Sequence, residues 1–249
     1  MDWPKSERDG YVFTEINTVV NAFHLAALAR MAVMADAVGN AADAADCRAR
    51  FAKGQAEFQR QLFDTKRGLY RDGVGTDHCS HHASLFQYGG DSKAIELMTV
   101  ENDRSWRHMV ASGTTITWEA WDQKYKPNQD WNHARCTPPA NLLPRFVLGV
   151  EPLEAGWARA IIRPCPGGLR FARGKVPTPR GPIEVHWKRD GGFQLEARLP
   201  EQVSAEVEVP AGAATEQVFV NGARVDAKRK GDHWILPDDI SGDATIEVR

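Results

Sequence analysis

Residues 16–62 read "INTVVNAFHLAALARMAVMADAVGNAADAADCRARFAKGQAEFQRQL". In the first half, Ile16, Val19, Val20, Phe23, Ala27, Met31, Met34, Ala35 and Val38 recur at steps of three and four. That spacing places them on one face of a helix. Gly39 stops the run, because a helix end needs the left-handed backbone that glycine takes without penalty. Asn40 follows as an N-cap, with Asp43 at the capping-box position. Cys47, Phe51, Phe58 and Leu62 supply the apolar stripe of a second helix. The stretch predicts an αα-hairpin joined by a two-residue turn.

Downstream, "FDTKRGLYRDGVGTDH" (63–78) reads as a Gly- and Asp-rich loop. Helical stretches are expected at 82–89, 92–99, 104–111 and 139–148. The texture changes near Gly149. "ARAIIRPCP", "GPIEVHWKR", "GFQLEARLP", "SAEVEVP", "QVFVNGARV", "DHWILP" and "ATIEVR" alternate apolar and polar residues between turn formers, the pattern of short half-buried strands. Asn221-Gly222 carries the strongest hairpin-turn signal. The expectation is a multi-domain chain, α then β. Helical hairpins fill residues 1–154 and an antiparallel β-sandwich fills 155–249.

The bulk numbers exclude several classes. The chain has 249 residues, 42% hydrophobic and 26% charged, with a net charge of −2, so neither nucleic acid nor an anionic membrane is the expected partner. No apolar run is read as approaching the roughly 18 residues of a membrane span. Cys47, Cys79, Cys136 and Cys165 are scattered without CxxC spacing and are expected as reduced thiols. "MDWPKSERDG" at the start is polar and charged, so a cytoplasmic location is expected for the chain as written.

Chemistry concentrates in "SGTTITWEAWDQKYKPNQDWNHA" (112–134). Glu119 lies between Trp118 and Trp121, with Trp131, Asn132 and His133 downstream. Aromatic faces stack on sugar C–H surfaces. A carboxylate partly desolvated among them has its neutral form favoured, which suits a general base. The competing reading is an amphipathic helix whose aromatics are core, with Asp122 on the same face as Glu119. His133 could orient a water or meet a sugar hydroxyl. Near the start, Asp2 and Trp3 could hold a sugar, and Glu7 and Arg8 read as a surface ion pair. His78, Cys79, His81 and His82 fit no zinc-ligand spacing, so no metal site is expected.

Four segments taken in order resemble the C-terminal half of the catalytic domain of the bacterial α-L-rhamnosidases of glycoside hydrolase family 78, with its β-sandwich. They are "DWPKSERDGYVFTEINTVVNAFHLAAL", "DRSWRHMVASGTTITWEAWDQKYKPNQDWNHA", "ANLLPRFVLGVEPLEAGWARAIIRPCPG" and "PTPRGPIEV". The resemblance implies a partial (α/α)6 barrel of helical hairpins and inverting hydrolysis of terminal α-L-rhamnose from glycosides or oligosaccharides. It also implies that no metal or organic cofactor is needed. Glu119 inherits the role of general base. His133, Trp3 and Asp2 inherit sugar contacts, and Trp118 and Trp121 flank the base as further binding residues. The family's general acid lies in a motif upstream of the Asp-Trp segment, which "DWPKSER" echoes only faintly through Glu7. Impaired activity is therefore expected, with a non-catalytic carbohydrate-binding remnant as the alternative. Between "LFQYGG" and "DRSWRHM" the family has a further helical hairpin or so. A shortened ring would expose apolar helix faces, from which assembly into a homo-oligomer, a partner chain or poor stability could follow. A polysaccharide lyase or sugar epimerase would need a His or Tyr acid–base set that cannot be assembled here.

Overall fold

The computed structural model describes residues 11–77, 91–134, 137–212 and 216–249. Packing divides the chain into two units, residues 1–84 with 120–129, and residues 85–119 with 130–249.

In the first unit, α1 (Thr18–Ala37) and α2 (Ala41–Leu62) form the expected hairpin. Asn17 caps α1 by accepting from the Val20 N–H. Gly39 turns the chain with φ of 77°. Asn40 caps α2 by accepting from the Asp43 N–H, and its side-chain amide donates to the Asp43 carboxylate, while its backbone N–H donates to the Ala35 carbonyl, so the reciprocal half of a capping box is not made. Leu25, Leu28 and Ala32 of α1 pack with Cys47 of α2, flanked by Phe51 and Phe58. Gly54 makes room for this contact: a Cβ there would stand 2.7 Å from Leu25 Cδ2.

The buried face of α1 is not the face expected from its periodicity. Val20, Phe23, Met31, Met34 and Val38 are exposed, Phe23 at 74%. The helix is apolar on two sides, and α2, with a single apolar stripe, covers only the side bearing Leu25, Leu28 and Ala32. The same composition corrects the expectation that no apolar run reaches membrane-spanning length. By length and composition alone, α1 could cross a membrane, with 20 residues, a mean hydropathy of 1.4 and Arg30 and Asp36 as its charged residues. It is built as one arm of a helical hairpin.

The expected loop at 63–78 contains a small hairpin of β1 (Phe63–Asp64) and β2 (Leu69–Tyr70). Asp72 beyond it is fully buried and accepts from the Val12 N–H at 3.2 Å, while its carbonyl accepts from the Thr18 N–H. The expected helix at 82–89 and the cluster of His78, Cys79, His81 and His82 lie outside the described residues.

In the second unit, α3 (Asp91–Thr99) and α4 (Trp106–Ala111) occupy the expected positions. α5 (Pro138–Leu142) runs into a π-helical turn at Leu143–Val147. Gly149, with φ of 82°, then turns the chain into β structure, and a side chain there would sit on the Arg163 carbonyl.

Twelve strands follow: β3 (Val150–Pro152), β4 (Arg159–Ile162), β5 (Phe171–Val176), β6 (Ile183–Arg189), β7 (Phe193–Arg198), β8 (Ser204–Pro210), β9 (Val218–Val220), β10 (Ala223–Val225), β11 (Lys228–Lys230), β12 (His233–Ile235), β13 (Ile240–Ser241) and β14 (Asp243–Val248). One sheet has the order β10-β9-β14-β7-β6-β5. The other has β11-β12-β8-β4-β3, with β13 also on β8. Pairing is antiparallel except for β4 and β8, which run parallel. Alternation buries Ile183, Val185 and Trp187 of β6 with Leu195 of β7 and Ile246 of β14. Asn221 and Gly222 take φ of 50° and 81°, the double left-handed turn expected between β9 and β10. Trp187 donates its indole N–H to the Val147 carbonyl at 2.7 Å, tying β6 to the end of the π-helical turn.

Candidate functional site

The site begins where α4 stops. Ser105 caps α4, accepting from the His108 N–H at 3.1 Å. Gly113, with φ of 83°, takes the chain out of the helix. Thr114 holds the next bend by donating to the Ile116 carbonyl at 2.6 Å, so its hydroxyl is engaged locally.

Residues 117–119 then pair with residues 130–133. The His133 N–H donates to the Thr117 carbonyl and the Glu119 N–H to the Asp130 carbonyl, both at 2.9 Å. The Thr117 hydroxyl adds a bond to the His133 carbonyl at 3.0 Å. This pairing replaces the helix considered for the stretch. Asp122 is accordingly not on a helix face with Glu119, and its carboxylate accepts from the Lys124 N–H at 3.2 Å in a local turn. Within residues 120–129, which belong to the first unit, Gln129 is buried and its side-chain oxygen accepts from the Ala120 N–H at 3.0 Å. Trp121 in this loop is half-buried.

The pairing brings three polar side chains together, those of Glu119, Asp130 and His133. Glu119 is half-buried, and its Oε2 accepts from the Asp130 N–H at 3.0 Å. Nδ1 of His133 lies 3.3 Å from Oδ2 of Asp130. One donor atom from each of Glu119, Asp130 and His133 falls within 4.8 Å of the others. Such a trio offers oxygen and nitrogen atoms that could meet a cation, though exposed acidic groups are common without one.

The tryptophans divide into support and surface. Trp118 is only 9% exposed and meets Trp131 edge-on, with ring centroids 5.2 Å apart, and His108 at 6.1 Å. Trp131 is 51% exposed. Trp131 and Asp130 were not among the residues expected to act. The signal was present in the quoted segment, where both lie within three residues of His133. Asp2, Trp3, Glu7 and Arg8 lie outside the described residues. Among the described residues Cys47 and Cys165 form no disulfide, whereas Cys79 and Cys136 also lie outside the described residues.

Comparison with known proteins gives a consistent result. The model of the bacterial alpha-L-rhamnosidase 6 hairpin glycosidase domain matches residues 1–83 and 74–147. The model of the bacterial alpha-L-rhamnosidase C-terminal domain matches residues 149–224. An alpha-L-rhamnosidase of Alteromonas sp. (strain LOR) is 32% identical over 139 residues, which is 52% of this chain and 15% of the relative. One from Streptomyces avermitilis is 30% identical over 137 residues, 51% of this chain and 13% of the relative. Among solved structures, the alpha-L-rhamnosidase from Dictyoglumus thermophilum superposes with a TM-score of 0.66 at 19% identity, covering 91% of this chain and 31% of that one. The Streptomyces avermitilis enzyme, complexed with L-rhamnose, gives 0.65 at 20% identity, covering 93% and 26%. These two likenesses speak for the fold. The chain thus spans about a seventh of the length of the curated relatives it matches.

Proposed function

Because the chain belongs to the bacterial alpha-L-rhamnosidase family, we propose that the Glu119 site takes a terminal α-L-rhamnose unit of a glycoside and carries the base half of an inverting hydrolysis. The observation that carries the reading is the fixed placement of the Glu119 carboxylate beside His133. The Asp130 N–H occupies one carboxylate oxygen and sets the plane of the group without neutralising it. In the proposed step Glu119 removes a proton from a water whose oxygen bonds to the anomeric carbon, while the glycosidic C–O bond breaks and its electron pair leaves on the aglycone oxygen, which takes a proton from the upstream acid or from solvent. The same negative charge stabilises the oxocarbenium-like transition state. Trp131 offers an exposed ring for the sugar, with Trp118 holding it edge-on from behind. His133 meets a sugar hydroxyl.

Asp130 does not serve as the acid of this scheme. An inverting pair stands roughly 6.5–9.5 Å apart to admit the water, whereas donor oxygens of Glu119 and Asp130 lie within 4.8 Å. The family resemblance puts the acid in an upstream motif, so we propose slow turnover for the chain by itself.

The test is release of p-nitrophenol from p-nitrophenyl α-L-rhamnopyranoside by the chain and by Glu119→Gln. The proposal expects release that falls about 10²- to 10⁴-fold in the variant, with the inverted β-anomer as the first sugar seen by NMR. Retention of configuration would instead favour Glu119 and Asp130 acting as a closely spaced pair. Sugar binding without release would favour a non-catalytic carbohydrate-binding role.

A further inference from the structure

We propose that Asp130 is a positioning residue that orients the His133 imidazole while its own backbone fixes Glu119. Its use in sugar recognition rests on the reading of the site given above. Asp130 makes three separate contacts to the two groups. Its carbonyl accepts from the Glu119 N–H at 2.9 Å. Its N–H donates to Glu119 Oε2 at 3.0 Å. Its carboxylate reaches His133 Nδ1 at 3.3 Å. One residue therefore sets the spacing between the carboxylate and the imidazole.

The contact also selects the state of the ring. An ionised carboxylate only accepts hydrogen bonds, so Nδ1 of His133 must carry the proton. In the neutral ring the lone pair then belongs to Nε2, which can accept from a sugar hydroxyl. An unconstrained neutral imidazole prefers the opposite tautomer, with the proton on Nε2. The side chain of His133 is 20% exposed and that of Asp130 is 69% exposed. Solvent therefore reaches the Asp130 carboxylate, while the imidazole is largely covered, so packing limits where the ring lies and the hydrogen bond bears on which ring nitrogen holds the proton. Asn132 between them is exposed and adds no such restraint.

The experiment uses the full chain, with Asp130→Ala and Asp130→Asn, and His133→Gln to assign the resonance. Long-range ¹H–¹⁵N NMR reads the tautomer of His133. The expected result is an Nδ1–H ring in the parent chain, a shift towards Nε2–H in Asp130→Ala, and partial retention in Asp130→Asn, whose amide oxygen can still accept. L-Rhamnose affinity, followed by tryptophan fluorescence, should fall roughly tenfold to a hundredfold in Asp130→Ala, with unchanged far-UV circular dichroism. An Nε2–H ring in the parent chain, or a His133 signal indifferent to Asp130→Ala, overturns the proposal. The expected NMR pattern in a chain that binds no L-rhamnose would uphold the orienting role and refute the sugar reading alone.

Discussion

Trp187→Phe tests the joint between the π-helical turn and the β region. Trp187 is fully buried, and its indole N–H meets the buried Val147 carbonyl at 2.7 Å. Phenylalanine keeps the stacking on Phe193, whose ring centroid is 5.9 Å away, but it cannot donate. The carbonyl is left unpaired and dry, which costs about 1–3 kcal/mol. The smaller ring also leaves a void. Full truncation of a buried aromatic costs about 3–5 kcal/mol, of which the loss of one ring is a fraction. The two contributions together come to about 2–4 kcal/mol. Hydrogen exchange of the β6 and β7 amides is the suitable assay, because it reports on this region even if the two packing units unfold separately. Protection there should fall about 30- to 900-fold. Phe193→Leu is the control: it keeps the hydrogen bond and loses the ring contact, about 0.5–1.5 kcal/mol, together with a small part of a buried ring's volume. A Trp187→Phe effect below that of the control would refute the assignment of the joint to the indole hydrogen bond.

Three further outcomes follow from the fold. Leu28→Ala should cost about 2–5 kcal/mol in denaturant unfolding, while Phe23→Ser on the exposed face should stay within about 0.5 kcal/mol and reduce concentration-dependent self-association in sedimentation velocity. Gly149→Ala should destabilise by at least about 2 kcal/mol, since it combines a left-handed backbone with a blocked Cβ position, and a thermal melt will show it. Arg159, bonded to Asp239 at 2.6 and 2.9 Å, holds that carboxyl below its usual range. A lowered folded-state pKa gives stability that is fully present above about pH 4 and is lost as the pH falls through the lowered value. Asp239→Asn should therefore flatten the acid limb of a plot of Tm against pH.

Much of the fold was legible because local signals agreed. Gly39 and Asn40 mark the helical turn, and Asn221-Gly222 marks the hairpin, through backbone chemistry that packing did not override. Strands with clean alternation, such as Ile183–Arg189, were equally plain. Periodicity failed on α1 because two faces of that helix are apolar, so three-and-four spacing alone cannot say which one α2 will cover. β11 (Lys228–Lys230) was invisible because all three residues are charged and exposed, as suits the edge of a sheet. β5 carries Gly174 mid-strand, where Leu148 leaves no room for a Cβ.

The site was partly legible for a similar reason. Glu119 and His133 stand out by residue type. Their juxtaposition depends on backbone pairing of 117–119 with 130–133, which has no alternation signal. Two of the three contacts that Asp130 makes to Glu119 and His133 come from its main chain, which residue type does not announce. Trp118 and Trp131 look equivalent in sequence, and only packing separates the buried ring from the exposed one.

The most direct test is a crystal structure of the chain soaked in L-rhamnose. The account predicts a sugar stacked on Trp131, a hydroxyl in reach of His133, and a water held between Glu119 and the anomeric carbon. A saturating soak that leaves this position empty, or places the sugar away from Glu119, would contradict it.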